Sequence, residues 1–329
     1  MSGAPQPGQH GRAGIAVGLC TYRRLPGLLR ALEHIAVAIR DLDVPPVVII
    51  IDNDGDDPMV AAGVAVFAQR SGLEIVFRIE RRPGISEARN ALFAAADGLD
   101  IRFLAMLDDD EWPSRSWLSA LMRVQAETGA AIVGGPARPY FPETAAWLRR
   151  HSRYWSVDRQ FRHGRPFVFC SCNCMIELEA LARISRPLFA ADFGLSGGGD
   201  TVFFRRLFLA GLPMAWAEDA AVYEAVPPER ATLGWIRRRR FRVGNQSVRW
   251  ERLEDRGWRP VLKTLALTAR LVIYPLLRRE PESSLLGWCL EADKVRGRYA
   301  AHFGTIVFAY ARPERDEPGR LCRDEPHGG

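Results

Sequence analysis

Three consecutive carboxylates, Asp108-Asp109-Asp110, follow the apolar run Phe103-Leu104-Ala105-Met106-Leu107. Adjacent like charges repel, so a fold keeps them together only with a compensating cation. Oxygen ligands at this spacing suit Mg²⁺ or Mn²⁺, hard ions that bridge diphosphate oxygens. A solvated acidic turn has the same letters; the position directly behind a buried strand favours the metal reading. Two more polar clusters occupy equivalent places. Thr21-Tyr22-Arg23-Arg24 follows Ile15–Leu19, and Asp52-Asn53-Asp54 follows Val47–Ile51.

The elements that must position these clusters alternate between strand and helix. Ile15–Leu19 is a short apolar run. Pro26 then opens a helix with apolar positions at Leu28, Leu29, Leu32, Ile35, Ala36 and Ile39. Val47–Ile51 is wholly apolar and β-branched, as expected of a strand buried on both faces. Leu73–Ile79 and Ile101–Leu107 are further strands. Ser86 is placed to cap the intervening helix, and Pro113 to start the next. Ala131–Phe141 and Phe167–Ile176 read as later strands. Strand–helix alternation implies a largely parallel sheet, and ligands bind such sheets at the carboxyl ends of their strands. No G-x-G-x-x-G follows the first strand, and no G-x-x-x-x-G-K-[ST] is present, which disfavours a dinucleotide fold and a P-loop kinase. A nucleotide would be held here by side chains and metal.

The chain has 329 residues, 47% apolar and 26% charged, enough for one large domain or a large and a small one. Residues 1–12 read as a flexible start with no apolar signal core, and no run of about 18 apolar residues occurs. Six cysteines in this length do not form a disulfide scaffold. Cys170, Cys172 and Cys174 alternate at strand spacing and read as small residues on one strand face. Lysine is scarce: two lysines, Lys263 and Lys294, stand against 43 arginines, a pattern that GC-rich codon usage explains. The net charge of +6 is uneven. Between Arg230 and Arg279 there are 14 basic and three acidic residues, giving +11 there and −5 elsewhere. A basic segment on a mildly acidic body points to a polyanionic partner.

Six motifs stand in order over about residues 14–245: Cys20-Thr21-Tyr22-Arg23-Arg24, Ile51-Asp52-Asn53-Asp54, Arg82-Pro83-Gly84-Ile85-Ser86-Glu87-Ala88-Arg89-Asn90, Leu107-Asp108-Asp109-Asp110-Glu111, Gly197-Gly198-Gly199-Asp200 and Glu224-Ala225-Val226-Pro227-Pro228-Glu229-Arg230. In this the chain resembles the family 2 glycosyltransferases of GT-A fold, in the bacterial exopolysaccharide (succinoglycan-type) subgroup. The resemblance implies an α/β fold: a Rossmann-like, mostly parallel sheet with flanking helices, plus a C-terminal helical region. It implies that Thr21, Tyr22 and Arg23 contact the base and ribose of a nucleotide-sugar, that Asp52 accepts a hydrogen bond from a uracil ring, and that Asp108 meets the ribose. Asp54 and Asp109 fall in the same donor-binding set. Asp110 would bind the divalent cation that neutralises the diphosphate, with Arg82 and Arg89 adding charge. Asn90 would hold loop geometry.

By the same resemblance, Asp200 is the general base for an acceptor hydroxyl in inverting transfer. From residue type alone it is an N-cap for the helix carrying Phe203, Phe204, Leu207 and Phe208. Many relatives have Glu where this chain has Gly199, which leaves one fewer acidic contact for the acceptor. Many also have His near Glu224; that carboxylate either joins Asp110 on the metal or only orders its loop. Gln246-Ser247-Val248-Arg249-Trp250 matches the Q-x-x-R-W motif of processive synthases, either as a glycan-end site or as coincidence in an Arg-rich helix. Gly198, Gly199, Arg238, Gln246, Arg249 and Trp250 are thus acceptor or diphosphate contacts to test.

The domain expectation is residues 13–228 for the transferase domain, 229–312 for a basic amphipathic helical region and 313–329 for a flexible tail. Val261–Leu277, interrupted by Lys263, Arg270 and Pro275, reads as a surface helix. Leu265, Leu271, Val272, Ile273, Tyr274 and Leu276 would dip into a membrane interface while arginines meet anionic headgroups. Nucleic acid is not the expected partner, since no helix-turn-helix, zinc or RNA-recognition pattern accompanies the charge. The expected location is cytoplasmic, at the inner face of the cell membrane. The resemblance implies that the acceptor is a hydroxyl of a glycan or lipid-linked acceptor in surface polysaccharide biosynthesis. The alternative from another class is a non-catalytic membrane-surface protein on the same fold.

Overall fold

A computed structural model describes residues 14–191, 197–254, 257–277 and 282–307. The expected flexible segments 1–12 and 313–329 lie outside the described residues. The chain divides into two compact units. One comprises the chain up to Phe141 together with Trp147–Phe189 and Phe203–Val226. The other comprises Pro142–Ala146, Ala190–Val202 and the chain from Pro227 onward.

In chain order the strands are β1 (Gly14–Thr21), β2 (Val47–Asp52), β3 (Ile75–Ile79), β4 (Ile101–Leu107), β5 (Glu111–Pro113) and β6 (Ile132–Gly134). They continue as β7 (Ala137–Tyr140), β8 (Gln160–Arg162), β9 (Arg165–Phe167), β10 (Asn173–Glu177), β11 (Met214–Trp216) and β12 (Val222–Ala225). The helices are α1 (Leu25–Ala38), α2 (Pro58–Ser71), α3 (Ile85–Asp97), α4 (Trp117–Thr128), α5 (Gly199–Leu209), α6 (Leu233–Glu254), α7 (Arg259–Leu277) and α8 (Glu282–His302).

The main sheet has the order β11-β6-β10-β4-β1-β2-β3. It is parallel except for β10, which runs antiparallel to both β4 and β6. The all-apolar centre of β2 is buried on both faces, as its composition requires. Helices α1 and α4 cover one face through Leu28, Leu32, Ile35 and Trp117. Helices α3 and α5 cover the other through Leu92, Phe93, Phe203 and Phe204. Two of these rings, Phe93 and Phe203, lie 5.8 Å apart, and Phe189 stacks on Phe203 at 4.4 Å.

The structure corrects several sequence expectations. Ser86 does not cap α3; the cap position is Gly84 at φ +113°, a conformation that disfavours side chains. Pro113 ends β5, and α4 begins only at Trp117. Ala131–Phe141 is two strands in two sheets, because Gly135-Pro136 breaks it. Pro136 has no N–H to donate, and a Cβ at Gly135 would collide with the Ala220 carbonyl. Asn173 pins this break. Its amide donates to Pro136 O (3.0 Å) and Ala220 O (2.7 Å), while its oxygen accepts from Trp117 Nε1 (2.8 Å). Phe167–Ile176 likewise splits between β9 and β10. Of the three cysteines only Cys174 lies on β10; Cys170 and Cys172 precede it with sulfurs 3.0 Å apart.

The second unit contains α6, α7 and α8. Glycines on α6 and α8 let their backbones touch: a Cβ at Gly244 would collide with the Lys294 carbonyl, and one at Gly297 with the Phe241 carbonyl. Arg298 on α8 is buried and ties the three helices together with a full set of donors. It donates to Ser247 Oγ (2.7 Å), to both Glu251 oxygens (3.1 and 2.7 Å), to Thr264 Oγ1 (2.9 Å) and to Pro260 O (3.1 Å). Burial pushes the Glu251 carboxyl up, but hydrogen bonds from Arg298 and Lys263 more than reverse this and hold it below the usual range. Its stabilising contribution is therefore present above the ordinary Glu range and is lost as pH falls through the depressed value. Arg298→Leu strands a buried carboxylate and is expected to cost about 3–5 kcal/mol in urea unfolding of the full chain. Glu251→Gln is expected to flatten the acid limb of the stability profile. A loss below about 1 kcal/mol for Arg298→Leu would mean the network carries little.

Part of the basic character of this unit is answered internally. Arg237 pairs with Asp293 at 2.7 Å, Arg240 pairs with Glu291, and Arg296 also reaches Asp293 at 2.9 Å. The acids come from α8, outside the stretch where the basic excess is counted. The +11 of residues 230–279 therefore overstates the charge offered to a partner.

Candidate active site

Parallel pairing brings the three polar clusters to one sheet edge. Thr21 stands opposite Asp52 in the β1–β2 register, and Gly18 stands opposite Met106 in the β1–β4 register. The strand order reverses direction at β1, with β2 and β3 on one side and β4 on the other. That is a topological switch point, where open α/β sheets leave a crevice at their carboxyl ends.

The acidic triplet alternates as it leaves β4. Asp109 turns inward, with a side chain only 8% exposed, while Asp108 and Asp110 are 44% and 28% exposed. Asp109 accepts from Thr21 Oγ1 (2.7 Å) and from Arg24 Nη1 (3.3 Å). Burial pushes its carboxyl up, against the opposing hydrogen bond from Thr21. Asp109 therefore binds β4 to the end of β1 and holds Arg24. The same Arg24 nitrogen donates to Asp110 Oδ2 at 2.7 Å. Asp108 is approached by Arg89 at 3.5 Å, and the Arg89 guanidinium also lies over the Phe189 ring. Asp108 and Asp110, at i and i+2, are the two more exposed carboxylates of the triplet, each beside an arginine, and carboxylate oxygens are the ligand type that Mg²⁺ and Mn²⁺ take. Among the described residues no three or more His, Cys, Asp or Glu side chains form a metal-holding group. One or two carboxylates suit an ion whose remaining ligands are phosphate oxygens and water.

The β2 end is built by its own polar side chains. Asp52 is buried, and its oxygens accept from the amides of Asp54 (3.1 Å) and Gly55 (3.2 Å). Burial pushes the Asp52 carboxyl up, and those amides oppose the shift. Asn53 straps the loop before α3, donating to Glu80 O and Arg82 O and accepting from Gly84 N. Asp54 takes a two-pronged ion pair from Arg23, at 2.7 and 3.2 Å. Arg23 has φ +54°, which turns its guanidinium back across Tyr22 at 5.2 Å. A cavity of about 330 Å³ opens between Arg23, Asp54, Asp56, Asp57 and Pro58. Arg82 is exposed and pairs with Glu80 and Glu87. Asn90 does hold a loop, exchanging two hydrogen bonds with the Phe189 backbone.

Glu224 on β12 stands opposite Glu111 on β5. Glu111 is fully buried and accepts from the Asp108 amide at 3.1 Å. Burial pushes its carboxyl well above the usual range, with Cys172, Asp108 and Glu224 adding to the effect. Asp200 sits in the first turn of α5, behind Gly197 and Gly198 at φ +79° and +88°. Gly199 opens that helix. On α6, Arg238 is exposed, and Gln246, Arg249 and Trp250 are half-buried. Lys263 lies over the Trp250 ring at 5.7 Å. The residues that sequence reasoning left out are Arg24, which bridges the triplet, and Glu111, which holds its backbone. Arg24 was visible in the motif; its partner 86 residues away was not.

The family model described as Glycosyl transferase family 2 matches residues 16–184, and Glycosyl transferase family group 2 matches residues 103–306. The succinoglycan biosynthesis protein ExoM of Rhizobium meliloti (strain 1021) is 36% identical over 234 residues, covering 70% of this chain and 72% of that protein. The chain belongs to glycosyltransferase family 2. The same likeness makes it a glycosyltransferase enzyme. This family 2 transferase has the GT-A fold. The mannosyltransferase PcManGT from Pyrobaculum calidifontis, solved with GDP-Man and Mn²⁺, superposes with a TM-score of 0.57 at 19% identity. That superposition covers 91% of this chain and 89% of the other. Among the described residues, no helix is long and apolar enough to cross a membrane.

Proposed function

We propose that this enzyme is an inverting transferase that moves a sugar from a UDP-sugar to a hydroxyl of a lipid-linked glycan in surface polysaccharide biosynthesis. The observation that carries the donor half is the alternating triplet at the switch point: Asp109 inward on Thr21 and Arg24, Asp108 and Asp110 outward. ExoM, named for succinoglycan biosynthesis, supports the polysaccharide setting. The Mn²⁺ held by PcManGT supports a divalent cofactor, Mg²⁺ or Mn²⁺. When bound, the ion would supply Lewis-acid stabilisation to the departing diphosphate. Asp110 would hold it, with Glu224 as a second ligand to test.

The protein's own groups do the rest. Thr21, Tyr22 and Arg23 receive the base and ribose beside Asp54, and Asp52 takes the uracil imide N–H on a remaining lone pair. Asp108 meets the ribose, and Asp109 acts by holding Thr21 and Arg24 in place. Arg82 and Arg89 add positive charge for the diphosphate. The acceptor oxygen attacks the anomeric carbon as the bond to diphosphate breaks on the opposite face. The diphosphate leaves with the bonding pair, and Asp200 takes the hydroxyl proton. Gly198, Gly199, Arg238, Gln246, Arg249 and Trp250 are assigned to the acceptor side. Residues 13–228 form the transferase domain and 229–312 a basic helical region that works at the anionic inner face of the cell membrane.

A screen of UDP- and GDP-sugars with Mn²⁺ or Mg²⁺, reading released nucleotide, tests the donor. Metal-dependent UDP release is expected. GDP release would move the donor to the nucleotide that PcManGT holds. Absence of release, together with no calorimetric binding of UDP and Mn²⁺, would favour a non-catalytic surface protein.

A further inference from the structure

Helix α7 has an apolar stripe that no part of the described structure covers. Trp258, Leu262, Leu265, Val272 and Ile273 are 78%, 59%, 51%, 69% and 47% exposed. Trp258 is on the helical path, since the Leu262 amide donates to its carbonyl at 2.9 Å. At about 100° per residue these five side chains fall within roughly 100° of the helix circumference. The opposite face is the packed one. Pro260 and Thr264 are buried, and Thr264 and Thr268 bond to Arg298 and Tyr299 of α8.

Charge borders the stripe on one side only. Arg259, Lys263 and Arg270 are exposed and lie within roughly 40° of each other along one edge, where Lys263 also pairs with Glu251 of α6 at 2.6 Å. Residues 257–277 contain no acid. A second copy docking α7 on α7 would bring two such edges together with no carboxylate on either helix to answer them. A lipid surface answers both features at once: phosphates meet Arg259 and Arg270, and the acyl boundary takes the apolar side chains, with Trp258 at headgroup level.

We propose that α7 is the segment that seats this chain on an anionic phospholipid surface. The proposal rests on the membrane partner named above and fixes which face of this helix makes the contact. On α6, Arg237 and Arg240 are engaged with α8 acids, and Leu271 is half-buried, its carbonyl taking Trp288 Nε1 at 3.0 Å. Tyr274 and Leu276, also expected at the interface, have side chains outside the described residues.

The test is co-sedimentation of the full chain with equimolar phosphatidylglycerol–phosphatidylcholine vesicles and with pure phosphatidylcholine vesicles. Wild type is expected to favour the anionic vesicles. Leu262→Glu/Val272→Glu is expected to weaken that binding at least about tenfold, and Arg259→Gln/Arg270→Gln by about 10–30-fold. Nucleotide release from a soluble donor is expected to stay unchanged in both. If wild type seats and both variants seat equally well, α7 is not the contact, although the membrane reading stands. If wild type does not seat, both readings fall. Equal binding to the two vesicle types overturns the anionic commitment. A variant that changes only oligomeric state, with no vesicle binding by wild type, assigns the stripe to a second copy and overturns the proposal.

Discussion

Asp110→Ala is expected to lower sugar transfer by about 10³-fold while leaving the unfolding transition nearly in place. The two halves of that expectation have separate physical grounds. Asp110 is partly exposed at a strand end and buries no apolar surface. Its ion pair with Arg24 joins two solvent-facing side chains, and such pairs are worth about 0–1 kcal/mol. Stability should therefore hardly change. Activity should fall because the outward carboxylate is the group assigned to the cation that offsets diphosphate charge. Arg24 supplies a second readout. It occupies Asp110 Oδ2 at 2.7 Å and so competes with an incoming cation. Arg24→Gln is expected to tighten Mn²⁺ binding, measured by electron paramagnetic resonance without any turnover. Near-normal turnover of Asp110→Ala in saturating metal would sink the metal assignment.

Asp200→Asn is expected to cost about 10²–10⁴-fold in transfer with donor binding intact, the range for loss of a general base. The substitution separates the two roles open to this residue. Because α5 begins at Gly199, Asp200 is not the N-cap but a first-turn residue, and Asn there loses only a charge–dipole contribution of about 0.3–1 kcal/mol. It cannot accept a proton. A residue that merely supports α5 would therefore leave turnover unchanged, and that result would remove the base from the mechanism. Calorimetry with UDP and Mn²⁺ checks that the donor site survives.

What could be read in advance followed local rules. The β-branched run of β2, the helical spacing in α1 and the polar clusters behind apolar runs are all written within a few residues. With them come the class of fold and the identity of the carboxylates. The misreadings share a different cause. Ser86, Pro113 and the split of Ala131–Phe141 each turned on backbone conformation or on a neighbour far along the chain. Glycine at φ +113° takes the cap position, and the Ala220 carbonyl forces Gly135 to stay bare.

The sequence by itself thus determined the chemistry available: three adjacent acids, an Asp behind flexible glycines, a basic segment and a family pattern that links them. Tertiary structure alone decided how those groups divide their work. A turn at a strand end points alternate side chains in opposite directions, so Asp109 becomes internal scaffolding while Asp108 and Asp110 face outward. Parallel pairing over more than 80 residues brings Thr21 and Arg24 to that turn. Packing of α8 on α6 absorbs arginines that a count of charges offers to a partner. It leaves α7 with a face that none of the described residues covers.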